Sequence, residues 1–215
     1  MGQVAIVDYD SGNLRSVQKA LESVGARATL TRDPDFIRRA DAVVLPGQGA
    51  FRDCAQKLAA FGLMDVVREA IDADKPFLGI CVGFQLLFEQ SEEHGVTPGF
   101  GVLKGRVVRF PHDLTLEGRR LKVPHMGWNR LKKQKEVGVL ENVAEGDYVY
   151  FVHSYYPEVE DKSVIATTTD YGLDFVSSVA RGNLYACQFH PEKSQRVGIA
   201  ILTSFWNRVK GLGQL

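Results

Sequence analysis

The chain has 215 residues and balances 26 Lys and Arg against 26 Asp and Glu, for a formal net charge of zero. That length suits one or two domains with a sizeable core, and a single domain spanning residues 1–215 is expected. A chain without a basic excess lacks what nucleic acid or an anionic membrane demands of a main partner, so neither is expected.

In chain order, Val4 to Val7 reads as a strand that begins without a basic, apolar leader. After the turn Asp10-Ser11-Gly12-Asn13, apolar residues at Leu14, Val17, Leu21 and Val24 recur at helical spacing, and Gly25 closes the helix. Arg27 to Leu30 is a short second strand. Ala42 to Leu45 is a third, running into Pro46-Gly47-Gln48-Gly49. A helix then carries Phe51, Cys54 and Leu58, with a second helical segment from Leu63 to Asp72. Phe77 to Ile80 is a buried strand, and the pattern through Phe84, Leu87 and Phe88 predicts a helix after it. Alternation of this kind implies parallel pairing with right-handed crossovers, which puts ligand chemistry at the carboxyl ends of the strands.

The second half changes character. From Gly105 to Arg181, β-type runs at Val107-Val108, Tyr148 to Val152, Val164 to Thr168 and Phe175 to Val179 predict antiparallel structure added to a mostly parallel α/β core. Leu184 to Phe189 is a further strand. The last helix places Val197, Ile201, Phe205 and Val209 on one face, with Ser194 as its cap. No apolar run reaches membrane-spanning length.

Cys54, Cys81 and Cys187 are three cysteines without paired spacing, which argues against a disulfide framework and for a cytoplasmic setting. The five histidines lack metal-ligand spacing, so neither a metal nor a cofactor is expected. Cys81 stands at the turn between strand and helix, flanked by Gly79 and Gly83, as in a nucleophile elbow with cysteine in place of serine. The unpaired N–H groups of the helix start favour a thiolate and then an oxyanion. The same residues also suit a small buried thiol.

A cysteine nucleophile needs a base and a group to orient that base. His190-Pro191-Glu192 offers both at the end of the last strand, since Pro191 stops the ladder and turns Glu192 back toward the imidazole. An ordinary strand-end histidine with a surface carboxylate remains the alternative. Gly47 and Gly49 permit a backbone excursion in which N–H groups, with that of Val82, would meet a tetrahedral oxyanion, worth roughly 3–4 kcal/mol per donor. A plain strand-to-helix turn has similar residues.

Gly79-Ile80-Cys81-Val82-Gly83-Phe84-Gln85-Leu86-Leu87 together with His190-Pro191-Glu192 resembles the triad-type, class I glutamine amidotransferases. The stretches Asp8 to Val17, Pro124-His125-Met126-Gly127-Trp128-Asn129, Tyr150 to Tyr155 and Gln188 to Ser194 narrow the resemblance to the glutaminase subunits of imidazole glycerol phosphate synthases. The resemblance implies Cys81 as nucleophile, His190 as proton shuttle and Glu192 as its orienter. It implies that Gln85, Ser154 and Tyr155 hold the substrate glutamine, with the Gly47-Gln48-Gly49 loop and Val82 at the oxyanion. It further implies a (β/α)₈-barrel synthase partner in a 1:1 heterodimer that receives ammonia through a channel, with Asn13, Trp128, Tyr150 and Lys193 facing it. The reaction implied for the pair makes imidazole glycerol phosphate and aminoimidazole carboxamide ribotide in histidine biosynthesis.

Gln48 departs from the aliphatic residue usual between the two loop glycines, and Asp10-Ser11 from the small residues expected there. A glutaminase for another synthase, of the anthranilate or pyridoxal-phosphate type, and a catalytically silent binding subunit are the competing readings.

Overall fold

A computed structural model describes residues 2–116 and 118–211. Among the described residues its main sheet has eight strands, in the order β11 (Lys132–Lys133), β14 (Ile165–Asp170), β15 (Asp174–Arg181), β16 (Leu184–Cys187), β4 (Phe77–Cys81), β3 (Ala42–Gly47), β1 (Gln3–Val7) and β2 (Arg27–Thr31). The parallel part comprises β1 (Gln3–Val7), β2 (Arg27–Thr31), β3 (Ala42–Gly47), β4 (Phe77–Cys81) and β16 (Leu184–Cys187). Strands β3, β4 and β16 are buried along their whole length, which is why their sequences are apolar runs without alternation.

Helices α1 (Leu14–Ser23), α2 (Pro34–Arg39), α3 (Phe51–Ala60) and α4 (Met64–Asp72) connect these strands. The α1 helix buries Val17 and Leu21, as its spacing predicts, and Gly25 follows it with φ +85°. The short α2 was not anticipated. Its signal was present: Asp33 accepts a hydrogen bond from Asp35 N–H, and Pro34 occupies the first helical position.

The antiparallel component divides in two. β14 (Ile165–Asp170), β15 (Asp174–Arg181) and β11 (Lys132–Lys133) extend the main sheet beyond β16. The others form smaller sheets: β10 (His125–Arg130) pairs antiparallel with β12 (Tyr148–His153), and β13 (Tyr155–Val159) joins β7 (Leu103–Arg109), β5 (Phe88–Ser91) and β6 (Thr97–Pro98) in a sheet whose β5 and β7 run parallel. Two-residue strands β8 (Thr115–Leu116) and β9 (Arg119–Arg120) form a ribbon of their own.

Two local expectations require correction. The helix after Cys81 does not run through Phe88: α5 covers only Val82–Gln85. Leu87 N–H closes on Phe84 O at 3.2 Å, a three-residue step that ends the helical ladder, and the carbonyls left over at Leu86, Leu87 and Phe88 are taken by the N–H groups of Phe100, Val102 and Gly101 as β5 begins. Ser194 precedes the last helix, α6 (Gln195–Val209), but its side chain does not cap it. Its hydroxyl donates to His190 O at 2.6 Å and accepts Tyr150 N–H at 3.0 Å, tying the histidine turn to β12.

Among the described residues, no helix is long and apolar enough to cross a membrane.

Candidate active site

Strand order assembles the site. Gly47 is in register with Cys81 across β3 and β4, and Cys187 with Ile80 across β16 and β4, so three strand ends meet although they lie far apart in sequence. Cys81 has φ +55° and ψ −110°, an unusual conformation for a residue with a Cβ that stores on the order of 1–3 kcal/mol of strain. The neighbours impose it. A Cβ on Gly83 would lie 1.9 Å from Leu45 O, and one on Gly47 would lie 2.7 Å from Gly83 N. Glycine at both positions lets α5 press directly onto β3, which turns the chain sharply at Cys81. The helix is a single turn, so its macrodipole is slight and its N–H groups are what it can offer.

Cys81 is 4% exposed and opens into a cavity of about 300 Å³ that is also lined by Val82, Gln85, Ser154, Tyr155 and His190. The volume lies at the lower end of the range for small-molecule sites. Gln48 and Gly49 form another part of its wall. Gly47 does not line it; its part is to admit α5.

After β16 the chain crosses to β12 through His190 N–H to Tyr150 O at 2.9 Å, then makes a 3₁₀ turn over Pro191–Lys193. That turn brings Glu192 Oε1 to 2.8 Å from His190 Nδ1, with both side chains almost wholly buried. His190 Nε2 and Glu192 Oε2 are buried without hydrogen-bond partners among the described residues. Burial opposes a charged His190, but the neighbouring Cys81 and then Glu192 outweigh it and raise the imidazole to about 10. Burial pushes the Cys54 and Cys187 thiols up, as expected of packing residues.

Gln85 is fastened in place: its amide donates to Tyr155 O at 3.1 Å and to Gln188 Oε1 at 3.0 Å. Gln188 Nε2 in turn approaches Cys81 Sγ at 3.7 Å. The Gln48 loop is held by Ser11, whose hydroxyl donates to Gln48 O at 2.8 Å and receives Gln48 N–H at 3.4 Å. Cys54 Sγ also donates to that carbonyl, at 3.5 Å.

Three of the four residues expected to face a partner lie together. Trp128 and Tyr150 contact edge to face at 6.0 Å across β10 and β12, and Lys193 Nζ stands 6.0 Å above the Tyr150 ring. Asn13 is exposed at the start of α1, which packs against the Pro191–Lys193 turn. Met126 (63% exposed), Trp128 (44%) and Tyr148 (45%) make this an apolar surface.

Sequence reasoning overlooked Glu93, His153 and Pro124 as cavity-lining residues. Glu93 accepts Phe51 N–H at 2.7 Å at the start of α3, so one carboxylate both caps a helix and faces the cavity. Only a charged turn, Glu92-Glu93-His94-Gly95, marked it in sequence.

The family model for class-I glutamine amidotransferases matches residues 5–207. The chain belongs to that family. Among curated amidotransferases, imidazole glycerol phosphate synthase subunit HisH of Syntrophotalea carbinolica is 52% identical over 94% of this chain and 98% of its own. The HisH subunit of Aquifex aeolicus is 48% identical over 98% of this chain and 99% of its own. Solved structures share the fold at low identity. One is PurLQS from Thermotoga maritima, with TM-score 0.73 and 17% identity over 96% of this chain and 98% of that one. Another is the glutaminase domain of Trypanosoma brucei CTPS, with TM-score 0.69 and 17% identity over 98% and 94%. As a class-I amidotransferase, the chain is a glutaminase subunit with a mixed α/β fold.

Proposed function

We propose that this glutaminase works through Cys81, His190 and Glu192 and supplies ammonia to an imidazole glycerol phosphate synthase in histidine biosynthesis. The observation that carries the reading is a strained, cavity-facing Cys81 sharing its cavity with a histidine whose other ring nitrogen is held by a buried carboxylate. Glu192 accepts from Nδ1–H and so leaves Nε2 to exchange a proton with sulfur and with the leaving group.

In the first half-reaction Cys81 Sγ bonds to the carboxamide carbon of glutamine, and the carbonyl electrons move onto oxygen. The C–N bond then breaks as His190 Nε2 delivers a proton, releasing ammonia and leaving a glutamyl thioester. His190 next takes a proton from water, hydroxide attacks the thioester, and glutamate departs as the Cys81 thiol is restored. Val82 N–H and the Gln48–Gly49 loop would donate to the oxyanion of both tetrahedral intermediates. Gln85, Ser154 and Tyr155 hold glutamine, and the Glu93 carboxylate on the cavity wall suits its α-ammonium group.

The HisH names of the relatives support a synthase subunit as partner, and we assign it a (β/α)₈ barrel in a 1:1 pair. The face carrying Asn13, Trp128, Tyr150 and Lys193 would meet it, and ammonia would pass between the subunits without entering bulk water. A cytoplasmic location follows from that pathway.

The test is Cys81→Ala in the reconstituted complex. Glutamine-dependent synthesis should vanish while added ammonium salt still supports it. Loss of both activities, or retention of the first, would overturn the assignment.

A further inference from the structure

Beneath the exposed aromatic face lies a directed chain of hydrogen bonds. His125 and His153 are register partners across β10 and β12, with His125 Nδ1 3.0 Å from His153 Nε2. His153 Nδ1 is 2.8 Å from Tyr155 O, and since a carbonyl only accepts, Nδ1 carries the proton. Burial, the larger influence on both rings, lowers His125 to about 4 and His153 to about 3, so both are neutral at physiological pH. Nε2 of His153 is then a bare acceptor, and the proton between the rings belongs to His125 Nδ1. That leaves His125 Nε2 to accept from Asn129 Nδ2 at 3.3 Å.

The remaining valences of Asn129 agree. Its amide also donates to Asp170 O at 2.8 Å, and its Oδ1 accepts Arg130 N–H at 2.8 Å. The direction of every bond from Asn129 to Tyr155 O is therefore fixed. Packing fixes the rings as well: His125 lies between Phe151 at 4.8 Å and Tyr171 at 4.0 Å, centroid to centroid. At its far end the chain meets the active site, because Tyr155 O is also the acceptor for Gln85 Nε2.

We infer that Asn129, His125 and His153 are positioning residues that set the Tyr155–Gln85 wall of the glutamine cavity, working from the inner face of the ribbon whose outer face carries Trp128 and Tyr150. This rests on the glutaminase reading above. Along β10, His125 and Asn129 point inward and Met126 and Trp128 outward, so a shift of the β10 backbone moves outer and inner residues together. His153 also lines the cavity, whereas His125 and Asn129 stand behind it, and the role assigned to all three is positional. Their effect is on where the carbonyl of Tyr155 and the amide of Gln85 stand when glutamine enters.

The experiment measures glutamate release by the chain with its cognate synthase subunit for wild type, His153→Leu and His153→Asn, alongside NMR of the wild-type imidazoles. His153→Leu fills the volume but removes the donor to Tyr155 O, and KM for glutamine should rise roughly tenfold with a much smaller change in kcat. His153→Asn keeps a donor near the Nδ1 position and should restore KM to within about threefold of wild type. Long-range ¹H–¹⁵N correlation at neutral pH should show both histidines as Nδ1–H tautomers, the minority form of free imidazole. An unchanged KM in His153→Leu, failure of His153→Asn to restore it, or an Nε2–H tautomer at His153 would each overturn the inference. If His153→Leu does not fold, the Asn variant and the tautomer assignment still decide it. A wild-type chain that releases no glutamate would refute the glutaminase reading instead, leaving the tautomer result to judge the chain of bonds by itself.

Discussion

Replacing Ser11 with alanine should release the loop that holds Gln48 at rest. The hydroxyl makes two bonds to Gln48, one of 2.8 Å to its carbonyl and one of 3.4 Å from its N–H. While these persist, the Gln48 N–H is engaged with Ser11 and is not offered to an oxyanion above Cys81. A neutral hydrogen bond contributes about 1 kcal/mol net, and the longer of these two contributes less, so the clamp amounts to about 1–2 kcal/mol. If rearrangement of the loop precedes chemistry, its removal should raise the unstimulated rate by roughly 5- to 30-fold. The Cys54 bond to the same carbonyl, at 3.5 Å, survives the substitution and keeps the gain toward the lower end. The assay is glutamate release from saturating glutamine by the isolated chain, Ser11→Ala against wild type, with melting temperatures as a folding control. A well-folded variant with an unchanged or lower rate would refute this reasoning.

Glu192→Gln should lower glutaminase activity by at least tenfold, because a neutral amide stabilises the imidazolium poorly. It should also change how stability varies with pH. His190 is raised above its unfolded value, so its contribution is fully present below about pH 6.5 and is lost as pH rises through about 10. Wild type should therefore melt at lower temperature at pH 10 than at pH 6.5, and the variant should show a smaller drop; identical drops would count against the pairing. Gly83→Ala places a methyl group against Leu45 O and should cost at least about 1–3 kcal/mol in urea unfolding. Trp128→Ala should weaken association with the synthase subunit by roughly 1–3 kcal/mol in calorimetry while leaving the isolated chain's glutamate release near wild type. Unaltered affinity would remove that face from the interface.

Strand–helix alternation, apolar runs and glycine punctuation were enough to read the parallel core from sequence, because parallel strands buried on both faces leave little ambiguity. Phe77 to Ile80 and Leu184 onward show this well. What spacing could not show was competition for backbone groups. Leu87 and Phe88 carry a helical pattern, yet Leu87 N–H closes early on Phe84 O and the carbonyls that follow pair with the Phe100 to Val102 segment. Ser194 reads as a cap and serves instead as a bracket between His190 and Tyr150. In the site, Cys81, His190 and Glu192 stood out through motif chemistry. Ser11, Glu93 and His153 did not, because each acts through a partner whose proximity depends on tertiary structure.

The position of β16 sets a condition on how the protein matures. That strand is among the last elements in the chain, yet it lies in the interior of the main sheet, with β4 on one side and β15 on the other. A growing polypeptide can present Cys81 long before Gln188 and His190 exist. Until Leu184–Cys187 slots into the gap, the thiol has no proton acceptor and β4 keeps a bare edge. A half-made chain would therefore consume no glutamine but would be prone to sticking to its neighbours, so the hazard of unfinished synthesis is aggregation and not wasted nitrogen.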